Sequence, residues 1–436
     1  MKNKKIVFGA IDTYKSVTKY FMEKYDIAYI IDNDRNKQGK DFYGVKIYPV
    51  EKLLEEKKDE VDILIAVQSA KKEITAQLES FGFVKDKDFF FFYETYEKDT
   101  LFDYIYWRNV KMENGKYVPT SLHLELSGVC NLKCTYCPYH GFANIKDGHR
   151  KLMSWEMLIK IAEQVKRIPS IETLDVSGHG EIFLNRNWFE MLEYLWQETA
   201  IKNLVIYTNG MLLTEENVQK LANLKYESIT LEVSIDGLSP EENNVYRKRS
   251  DYEIVKKNLE YALNVLSNDR FTKMITNSYV IEKEELERAD YQINYYDLTM
   301  PLPEYLVKDF GNQVTIGTQP TNIIPNKNGE LPQKSQGIEF VRVSTRYNGC
   351  CIYLFNCIAI DCEGNMRFCA CAWGSLQSYA NVMQCENLLF EFQNNKEMQL
   401  AREQKLNRID SAACKNCPNS VTGFFIPVRL QKEIDF

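Results

Sequence analysis

Three cysteines in the first half of the chain are the residues whose types and spacing point most directly to chemistry. They are Cys130, Cys134 and Cys137, in the segment CNLKCTYC. Thiolates bind iron–sulfur clusters or zinc, and a tight loop can direct three of them towards one point. Three thiolates on a four-iron cluster leave one iron open, whereas a structural zinc ion takes four ligands and no fourth is adjacent. The spacing therefore favours an iron–sulfur cluster with one open iron.

A second group of cysteines lies near the end of the chain. Cys351 and Cys369 are separated by 17 residues, and Gly364 lies five residues before Cys369. Cys414 and Cys417 form a Cys-x2-Cys pair, a spacing by which one turn presents two thiolates to one metal. Four thiolates also make a good zinc site, so the residue types alone allow either zinc or an iron–sulfur cluster here.

Composition limits the class of protein. The 436 residues are 44% hydrophobic and 26% charged, which predicts a folded chain of two to four domains at roughly 100–200 residues each. The net charge of −7 disfavours general binding to nucleic acid or anionic membranes. The N-terminus lacks the apolar run of a signal peptide and no run of about 18 apolar residues occurs, so we expect a cytoplasmic protein with no membrane span. In that reducing compartment the 12 cysteines indicate metal binding or catalysis rather than disulfides.

Strands that alternate with helices from residue 121 onwards would position the first three cysteines. The predicted strands are Leu122–Leu126, Thr173–Val176, Asn203–Tyr207, Ile229–Val233, Thr272–Val280 and Val314–Ile316. This rhythm predicts a full or partial (β/α) barrel. The active site of such a barrel lies at the C-terminal ends of its strands, and Cys130 follows the first strand.

With this motif the chain resembles the radical S-adenosylmethionine (radical SAM) superfamily. The family pattern is Cys-x3-Cys-x-aromatic-Cys, and Tyr136 supplies the aromatic residue. The resemblance implies a central partial (β/α)6 TIM-type barrel and a 4Fe–4S cluster on Cys130, Cys134 and Cys137 whose open iron binds the amino and carboxylate groups of SAM. An electron from a donor such as flavodoxin or ferredoxin would then split SAM into methionine and a 5′-deoxyadenosyl radical, which abstracts hydrogen from a small-molecule substrate.

Further segments extend the resemblance to the predicted SAM site. Ser177-Gly178-His179-Gly180-Glu181 resembles the Gly-x-Gly-Glu segment that contacts the SAM amino group, although Ile182 stands where the family commonly has proline. The same residues could form an ordinary glycine-rich turn, and Asp236 could cap a helix. The SAM-binding residues that the resemblance implies, with Arg247 and Arg249 as alternatives for the carboxylate, are Tyr136, Gly178, Gly180, Glu181, Thr208, Ser234, Asp236, Arg247 and Arg249.

The C-terminal cysteines resemble the SPASM/Twitch extensions of radical SAM enzymes. In those extensions a Cys-x12-Gly-x4-Cys stretch precedes a later cysteine pair, and no cysteine follows Cys417. The resemblance therefore implies the shorter Twitch form, with one auxiliary 4Fe–4S cluster on Cys351, Cys369, Cys414 and Cys417; Cys350 is an alternative to Cys351. The unassigned cysteines are expected to be packing residues, with Cys371 the best candidate for a catalytic hydrogen donor. They are Cys357, Cys362, Cys371 and Cys385.

The first 95 residues alternate strands and helices and predict a Rossmann-like parallel sheet. Gly9 ends the first strand and Asp32 follows the second, as in dinucleotide- or nucleotide-sugar-binding domains. The glycine fingerprint is incomplete, because Asp12 and Tyr14 would repel or crowd a pyrophosphate. We therefore expect docking, dimerisation or substrate recognition rather than nucleotide binding.

The predicted organisation is a Rossmann-like domain (1–95), a connector (96–118), a radical SAM core (119–344) and a small cysteine-rich Twitch/SPASM module (345–436). The function predicted first is the oxidation of a small polyhydroxylated substrate such as a sugar, aminocyclitol or nucleotide-linked sugar. The alternatives are a thiol-dependent sugar epimerase and a radical SAM peptide maturase that forms crosslinks or epimerises residues. Maturases often carry a winged-helix peptide-recognition domain, which the α/β pattern of residues 1–95 does not resemble.

Overall fold

The computed structural model describes most of the chain. The described residues are 2, 4–9, 15–66, 71–91, 110–137, 139–141, 151–288, 302–311, 313–321, 331, 338–343, 351–369, 377–407, 409–411, 414, 417 and 424–429. They fall into two compact units, one before residue 110 and one from residue 110 onwards.

The unit before residue 110 is an α/β sheet. Its strands are β1 (Lys4–Phe8), β2 (Ile27–Ile31), β3 (Asp41–Phe42), β4 (Val45–Tyr48), β5 (Val61–Ile65) and β6 (Phe89–Phe91), in the sheet order β3-β4-β2-β1-β5-β6. Neighbouring strands are parallel except β3 with β4. Helices Lys15–Lys24 and Lys71–Ser80 and the 3-10 helix Val50–Glu55 lie between strands. The Rossmann-like parallel sheet is confirmed, and its central strands are apolar runs because a parallel sheet is covered on both faces.

The predicted nucleotide-contact positions of this unit lie at strand ends. The N–H of Gly9 donates to the carbonyl of Ile31 at 2.8 Å. Asp32 is buried and accepts the N–H of Asp34 at 2.9 Å, which occupies one carboxylate oxygen in a local turn. Asp12 and Tyr14 lie outside the described residues. Nucleotide binding therefore remains untested.

The second unit contains the predicted barrel. Its strands are β7 (Lys111–Glu113), β8 (Lys116–Val118), β9 (Ser121–Leu124), β10 (Thr173–Val176), β11 (Asn203–Thr208), β12 (Ser228–Ser234), β13 (Phe271–Tyr279), β14 (Ile281–Glu282), β15 (Thr315–Pro320), β16 (Ile338–Val343), β17 (Cys357–Ile360), β18 (Asn365–Arg367), β19 (Ser378–Asn381) and β20 (Phe424–Arg429). Its helices are Trp155–Val165, Trp188–Glu198, Glu215–Asn223, Pro240–Tyr246, Tyr252–Val265, Lys283–Arg288, Glu304–Phe310, Tyr353–Asn356, Leu388–Asn394 and Lys396–Leu406, and Ile182–Leu184 is a 3-10 turn.

Within the described residues, β9, β10, β11, β12, β13 and β15 are parallel neighbours in chain order. Amphipathic helices connect them. The helix Trp155–Val165, for example, begins at the N-cap Ser154, whose side chain accepts the N–H of Met157, and it buries Leu158 and Ile161. This arrangement confirms the predicted partial (β/α)6 barrel.

The cysteine-rich segment continues the barrel sheet. β17 pairs in parallel with β9, so that Cys357 lies opposite Ser121 and Ile360 opposite Leu124. β18 and β19 extend the sheet as antiparallel strands. The segment therefore meets the strand that leads into the cysteine loop, although more than 200 residues of chain separate them.

A third sheet has the order β14-β20-β16. β14 follows the barrel strand β13 after Val280 alone, and β20 is the last described strand of the chain. Among the described residues, no helix combines the length and the apolar character needed to cross a bilayer.

Candidate active site

The loop that follows β9 carries the first three cysteines; we call residues 127–137 and 139–141 the cluster loop. Cys130, Cys134 and Cys137 are each partly exposed. The N–H of Leu132 points at the sulfur of Cys130 at 3.4 Å, and the N–H of His140 at the sulfur of Cys137 at 3.3 Å. Such donors stabilise thiolates and are usual around metal-bound sulfur. The loop therefore presents three partly exposed cysteines, and backbone donors support negative charge on the sulfur atoms of Cys130 and Cys137.

In the metal-free chain, burial favours the protonated form of two of these thiols. It raises the pKa of Cys130 to about 11 and that of Cys134 to about 12. The thiols of Cys130 and Cys134 therefore keep their protons at neutral pH. Coordination to iron displaces these protons and leaves thiolates.

The cluster loop is held by the chain that follows the helix Pro240–Tyr246. The N–H of Thr135 donates to the carbonyl of Tyr246 at 2.7 Å, and the N–H of Lys133 to the carbonyl of Lys248 at 2.9 Å. The ring of Tyr136 lies 5.6 Å from that of Tyr246. The hydroxyl of Tyr136 is buried without a hydrogen-bond partner among the described residues.

The glycine-rich segment after β10 packs directly on the cluster loop. A Cβ atom on Gly180 would lie 2.2 Å from the carbonyl oxygen of Ser127 and 2.4 Å from that of Val129. The N–H of Glu181 donates to the carbonyl of Val129 at 2.8 Å. Only glycine allows this approach, because any side chain at position 180 would collide with backbone.

Glu181 connects this segment to the end of β11. It is buried, and it accepts the hydroxyl of Thr208 at 2.8 Å and the N–H of Asn209 at 2.9 Å. Burial raises the pKa of Glu181, while these two donors act in the opposite direction. The side-chain amide of Asn209 donates in turn to Asn131 of the cluster loop at 2.8 Å. Three strand ends are thus joined around one point.

The charged pair of the predicted SAM site consists of Asp236, just after β12, and Arg247, just after the helix Pro240–Tyr246. Arg247 donates to Asp236 at 3.1 Å, and both side chains are largely buried. The Nε of Arg247 is buried and has no partner within the described part of the chain. Ser234, the last residue of β12, is partly exposed. Arg249 is exposed and has a left-handed backbone conformation (φ 75°). Of the two arginines, Arg247 is the one that the structure places beside the other predicted residues.

A buried polar cluster joins β9, the glycine-rich segment and the cysteine-rich segment. Glu125 accepts the backbone N–H of His179, and its Oε1 lies 2.8 Å from Nδ1 of that ring. Its second oxygen accepts the N–H of Cys362 at 3.2 Å, and the thiol of Cys362 also hydrogen-bonds to this carboxylate. The ring of Tyr139 packs edge-on against His179. Cys362, predicted to be a packing residue, therefore has a carboxylate partner.

The concave face of the barrel is polar; we call it the lumen. Buried and partly exposed residues alternate along β10, β11 and β12, which places Leu174, Leu204 and similar residues against the helices. The opposite face carries polar side chains, which are His123, Asp175, Ser177, Tyr207, Glu232 and Thr276.

Hydrogen bonds and electrostatic contacts link these lumen residues. Ser177 contacts His123 at 2.7 Å, and Thr276 donates to Glu232 at 2.5 Å. Burial and, to a smaller extent, the charge of Glu232 raise the pKa of Asp175 to about 6, although a hydrogen bond from Tyr207 acts in the opposite direction. Burial also lowers the pKa of His123 to about 4, so its ring is neutral at pH 7. The lumen thus presents two carboxylates, hydroxyls and a neutral imidazole.

The predicted auxiliary ligands are buried more deeply than the cluster loop. Cys351, Cys369 and Cys414 are buried, and Cys417 is partly exposed. Burial, together with the nearby thiols of Cys417 and Cys414, raises the pKa of Cys351 to about 12. Three of the four predicted ligands are therefore electrostatic neighbours. The candidate hydrogen donor Cys371 and the alternative ligand Cys350 lie outside the described residues.

The donor sets fit iron–sulfur clusters. Within the described ranges, no group of three or more His, Cys, Asp or Glu converges as the ligands of a single metal ion do. A four-iron cluster places each cysteine on a different iron, so its thiols stand further apart. The buried Tyr136 hydroxyl and the Nε of Arg247 have no partners among the described residues, and both lie beside the cluster loop, where a SAM molecule would meet them.

Several of these residues were not predicted from the sequence. Glu125, Asp175 and Glu232 were each counted only as parts of strands. One available signal is polar residues at every second position of otherwise buried barrel strands, as in TLDVS and TLEVS. A strand with helices on one side and a packed interior on the other is apolar throughout, so this alternation indicates a polar lumen.

Comparison with known families places the central segment. Residues 124–290 match the model of the radical SAM superfamily, and residues 1–89 match the model described as C2185-like, N-terminal. The radical SAM segment contains the cluster loop and most of the predicted SAM-binding residues. The central part of this chain is therefore similar to the radical SAM superfamily, whose members bind a 4Fe–4S cluster and SAM.

Curated relatives match over part of their length. A probable GTP 3′,8-cyclase of Methanococcus maripaludis is 34% identical over 145 residues, which are 33% of this chain and 46% of the relative. The mycofactocin maturase MftC of Mycolicibacterium smegmatis is 24% identical over 180 residues, 41% of this chain and 42% of the relative. The chain thus spans less than half of either relative.

Solved structures resemble the chain at low identity. Streptococcus suis SuiB bound to precursor peptide SuiA has a TM-score of 0.44 and 20% identity, covering 70% of this chain and 71% of that one. BtrN in complex with AdoMet and 2-DOIA has a TM-score of 0.42 and 15% identity, covering 69% of this chain and 93% of that one.

Proposed function

We propose that this chain is a radical SAM oxidoreductase that takes a hydrogen atom from a small polyhydroxylated substrate and oxidises it by two electrons. Sugars, aminocyclitols and nucleotide-linked sugars are substrates of this class. The observation that carries the proposal is the polar lumen. Asp175 and Glu232 can accept hydrogen bonds from hydroxyl or ammonium groups, and Thr276 can both donate and accept. An apolar substrate would leave the buried Oδ1 of Asp175 without a partner, at a cost of about 1–3 kcal/mol.

The chain's own residues bind and orient the reactants. Cys130, Cys134 and Cys137 hold the 4Fe–4S cluster, and Glu181 and Arg247 orient SAM. The bound cofactors supply a 5′-deoxyadenosyl radical when an electron arrives from a donor of the flavodoxin or ferredoxin class. The cluster loop follows the C-terminal end of β9, and the lumen residue Ser177 follows the C-terminal end of the neighbouring strand β10. A substrate held by the lumen is therefore within the reach of that radical.

Oxidation requires that the substrate radical lose one proton and one electron. Asp175 is suited to take a hydroxyl proton because its Oδ1 is buried without a partner among the described residues. The electron needs an acceptor, and we propose an auxiliary 4Fe–4S cluster on Cys351, Cys369, Cys414 and Cys417. The carbon that lost hydrogen and its hydroxyl oxygen then form a carbonyl group.

A thiol-dependent epimerase is the second candidate, and Cys362 is the observation that favours it. Its thiol hydrogen-bonds to Glu125 at the end of β9, one of the strands that build the site. A thiol there could return a hydrogen atom to the opposite face of a substrate radical. The resulting thiyl radical would need one electron from the same donor class and one proton from solvent to become a thiol again. A peptide maturase gains no comparable support, because the first unit is a parallel α/β sheet.

The test is anaerobic turnover of a panel of sugars, aminocyclitols and nucleotide-linked sugars by the reconstituted protein in deuterated water. We expect 5′-deoxyadenosine to form in step with a product oxidised by two electrons and free of solvent deuterium at carbon. Asp175→Asn and Glu232→Gln should lower substrate turnover about 10- to 1,000-fold while substrate-free SAM cleavage persists. Glu216→Gln, on an exposed helix face, is the matched control.

Two results would contradict the proposal, the first its chemistry and the second its binding site. A redox-neutral product that carries one deuterium and disappears in Cys362→Ala would establish the epimerase. Turnover unchanged by both lumen substitutions would show that substrate binds elsewhere.

A further inference from the structure

The last described strand of the chain, β20, lies against the part of the barrel that binds the cluster loop. β20 pairs antiparallel with β16 along its whole length and parallel with β14, where Glu282 lies opposite Arg429. Ile426 and Val428 are completely buried. Because β14 follows β13 almost directly, β20 is anchored to the fifth strand of the barrel. No motif of the radical SAM or Twitch type includes this strand.

Arg429, at the end of β20, reaches from this sheet to the helix Pro240–Tyr246. Its Nη2 donates to Glu242 at 2.7 Å and to the hydroxyl of Tyr246 at 2.8 Å. Its Nη1 lies 3.3 Å from Glu282. The side chain is more than nine-tenths buried. A guanidinium suits this position because it is always charged and presents several donors in a fixed plane.

One route from Arg429 leads to the cluster loop. The Tyr246 residue that it binds accepts the N–H of Thr135 on its carbonyl, and its ring packs on Tyr136. The neighbouring carbonyl of Val245 accepts the hydroxyl of Thr135 at 3.2 Å. Thr135 and Tyr136 lie between the second and third cluster cysteines. A displacement of Tyr246 would therefore move the chain that spaces two cluster ligands.

A second route leads to the charged pair of the SAM site. The second oxygen of Glu242 accepts the N–H of Leu238 at 2.9 Å. Gly237 has φ 82°, and a Cβ atom at this position would lie 2.5 Å from the Cβ of Glu242. The loop is therefore packed tightly on the Glu242 side chain. That loop carries Asp236, the partner of Arg247.

We propose that Arg429 is a positioning residue for SAM, through which the C-terminal strand holds the cluster loop and the Asp236–Arg247 pair in place. This inference rests on the proposed SAM site. Among the described residues, the Arg429 side chain hydrogen-bonds to Glu242, Tyr246 and Glu282, so it acts through Tyr246 and Glu242. β20 also begins seven residues after Cys417. The C-terminal cysteine pair is therefore close along the chain to the strand that carries Arg429.

The test measures SAM affinity and cluster content separately, in the reconstituted full-length protein. Tyr246→Phe keeps the ring and its contact with Tyr136 but removes the hydroxyl that Arg429 binds. Arg429→Met removes the charge, and the double variant with Glu242→Gln avoids an unpaired buried carboxylate. We expect wild-type iron content and a dissociation constant for SAM weakened about 10- to 100-fold by Arg429→Met, with a smaller loss for Tyr246→Phe.

Arg342→Met, on the exposed part of the neighbouring strand β16, is the matched control and should bind SAM as the wild type does. A second readout is the change in the cluster's electron paramagnetic resonance spectrum when SAM is added. This change should need more SAM in the Arg429 and Tyr246 variants. A double-mutant cycle between Arg429 and Tyr246 should give non-additive losses.

The outcomes distinguish this inference from the proposed function. Unchanged SAM affinity in Arg429→Met, Tyr246→Phe and the double variant would overturn the inference alone. A wild-type protein that carries a cluster but binds no SAM would overturn both.

Discussion

The two groups of cysteines differ in how the fold assembles them. The cluster loop draws its three from eight consecutive residues, and all three are partly exposed. The C-terminal group takes its members from three separate segments around Cys351, Cys369 and the Cys414–Cys417 pair, and most of them are buried. A cluster that binds SAM needs an accessible iron, whereas a cluster that only accepts electrons can be enclosed. The difference in burial thus matches the two roles proposed for the sites.

The neighbours of the two groups differ as well. The cluster loop is surrounded by polar residues that a ligand can meet, such as Asn209 and Arg247. The C-terminal thiols lie near a buried lysine, Lys405, whose positive charge partly opposes the burial that raises the pKa of Cys351. A positive charge stabilises a reduced or anionic cluster and suits an electron acceptor.

Replacement of Cys130, Cys134 and Cys137 by alanine should have the largest effect. The wild-type protein should bind about eight irons, four for each of two clusters. The triple variant should keep about half of that iron and produce no 5′-deoxyadenosine, because no other described residues offer an open cluster. Iron content and 5′-deoxyadenosine measured after anaerobic reconstitution check this. SAM cleavage by the triple variant would show that the two groups have been assigned the wrong way round.

Replacement of Cys414 and Cys417 by alanine should have the converse effect. The second cluster should be lost, while the spectrum of the SAM-binding cluster remains and substrate-free SAM cleavage continues. Substrate oxidation should stop because the electron has no acceptor. Stoichiometric zinc at this site in an active wild-type protein would contradict the proposal, since zinc has no redox chemistry.

The same contrast explains how much the sequence could predict. The cluster loop is a local pattern, and the barrel strands were predicted to within about four residues of their observed ends, because short strand-forming segments alternate with helical ones between turn signals. The pairing of β17 with β9 could not be predicted, since it depends on contacts between segments more than 200 residues apart. The β7–β8 hairpin, within the predicted connector, is too short and too exposed to leave a periodic pattern.

The contacts within the side-chain clusters also could not be predicted from the sequence. The contacts from Glu125 to His179 and Cys362 join three elements, and their distances follow from strand register rather than from motif spacing. The raised pKa of Asp175 depends on burial and on Glu232 from another strand. A motif identifies which residues bind a cofactor, but the register of the strands decides which residues face the substrate.

Gly180→Ala tests whether the cluster loop is ordered by its own residues or by the barrel. The added methyl group would meet the carbonyls of Ser127 and Val129, so the loop must shift. We expect a loss of about 1–3 kcal/mol in the free energy of unfolding and weaker SAM binding. The control is Gly317→Ala, where a Cβ would meet only the carbonyl of Ile275 at 3.9 Å. Equal behaviour of the two variants in thermal unfolding and SAM titration would show that the loop does not depend on this contact.

The smallest expected effect is a dependence of the free energy of unfolding on pH, which arises from a carboxylate in the lumen. Burial raises the pKa of Asp175 in the folded chain to about 6, above its ordinary value of 3.8. The unfolded chain therefore releases this proton first as the pH rises, and the stabilisation present below pH ~4 is lost by the time the pH passes ~6. The loss is at most about 3 kcal/mol, and solvent at this partly exposed side chain reduces it.

Asp175→Asn removes this titration while keeping the size of the side chain. Denaturant unfolding of the metal-free protein between pH 4 and pH 8, under reducing conditions, should show the wild type losing stability relative to the variant as the pH rises through about 6. Glu216→Gln, on an exposed helix face, should show no such crossover near that pH. A stability difference between wild type and Asp175→Asn that stays constant over this range would mean that the lumen is open enough to water to leave the carboxylate at its ordinary pKa. The lumen would then hold its substrate through solvent-exposed hydrogen bonds, and the ionised Asp175 would be a weaker base than proposed.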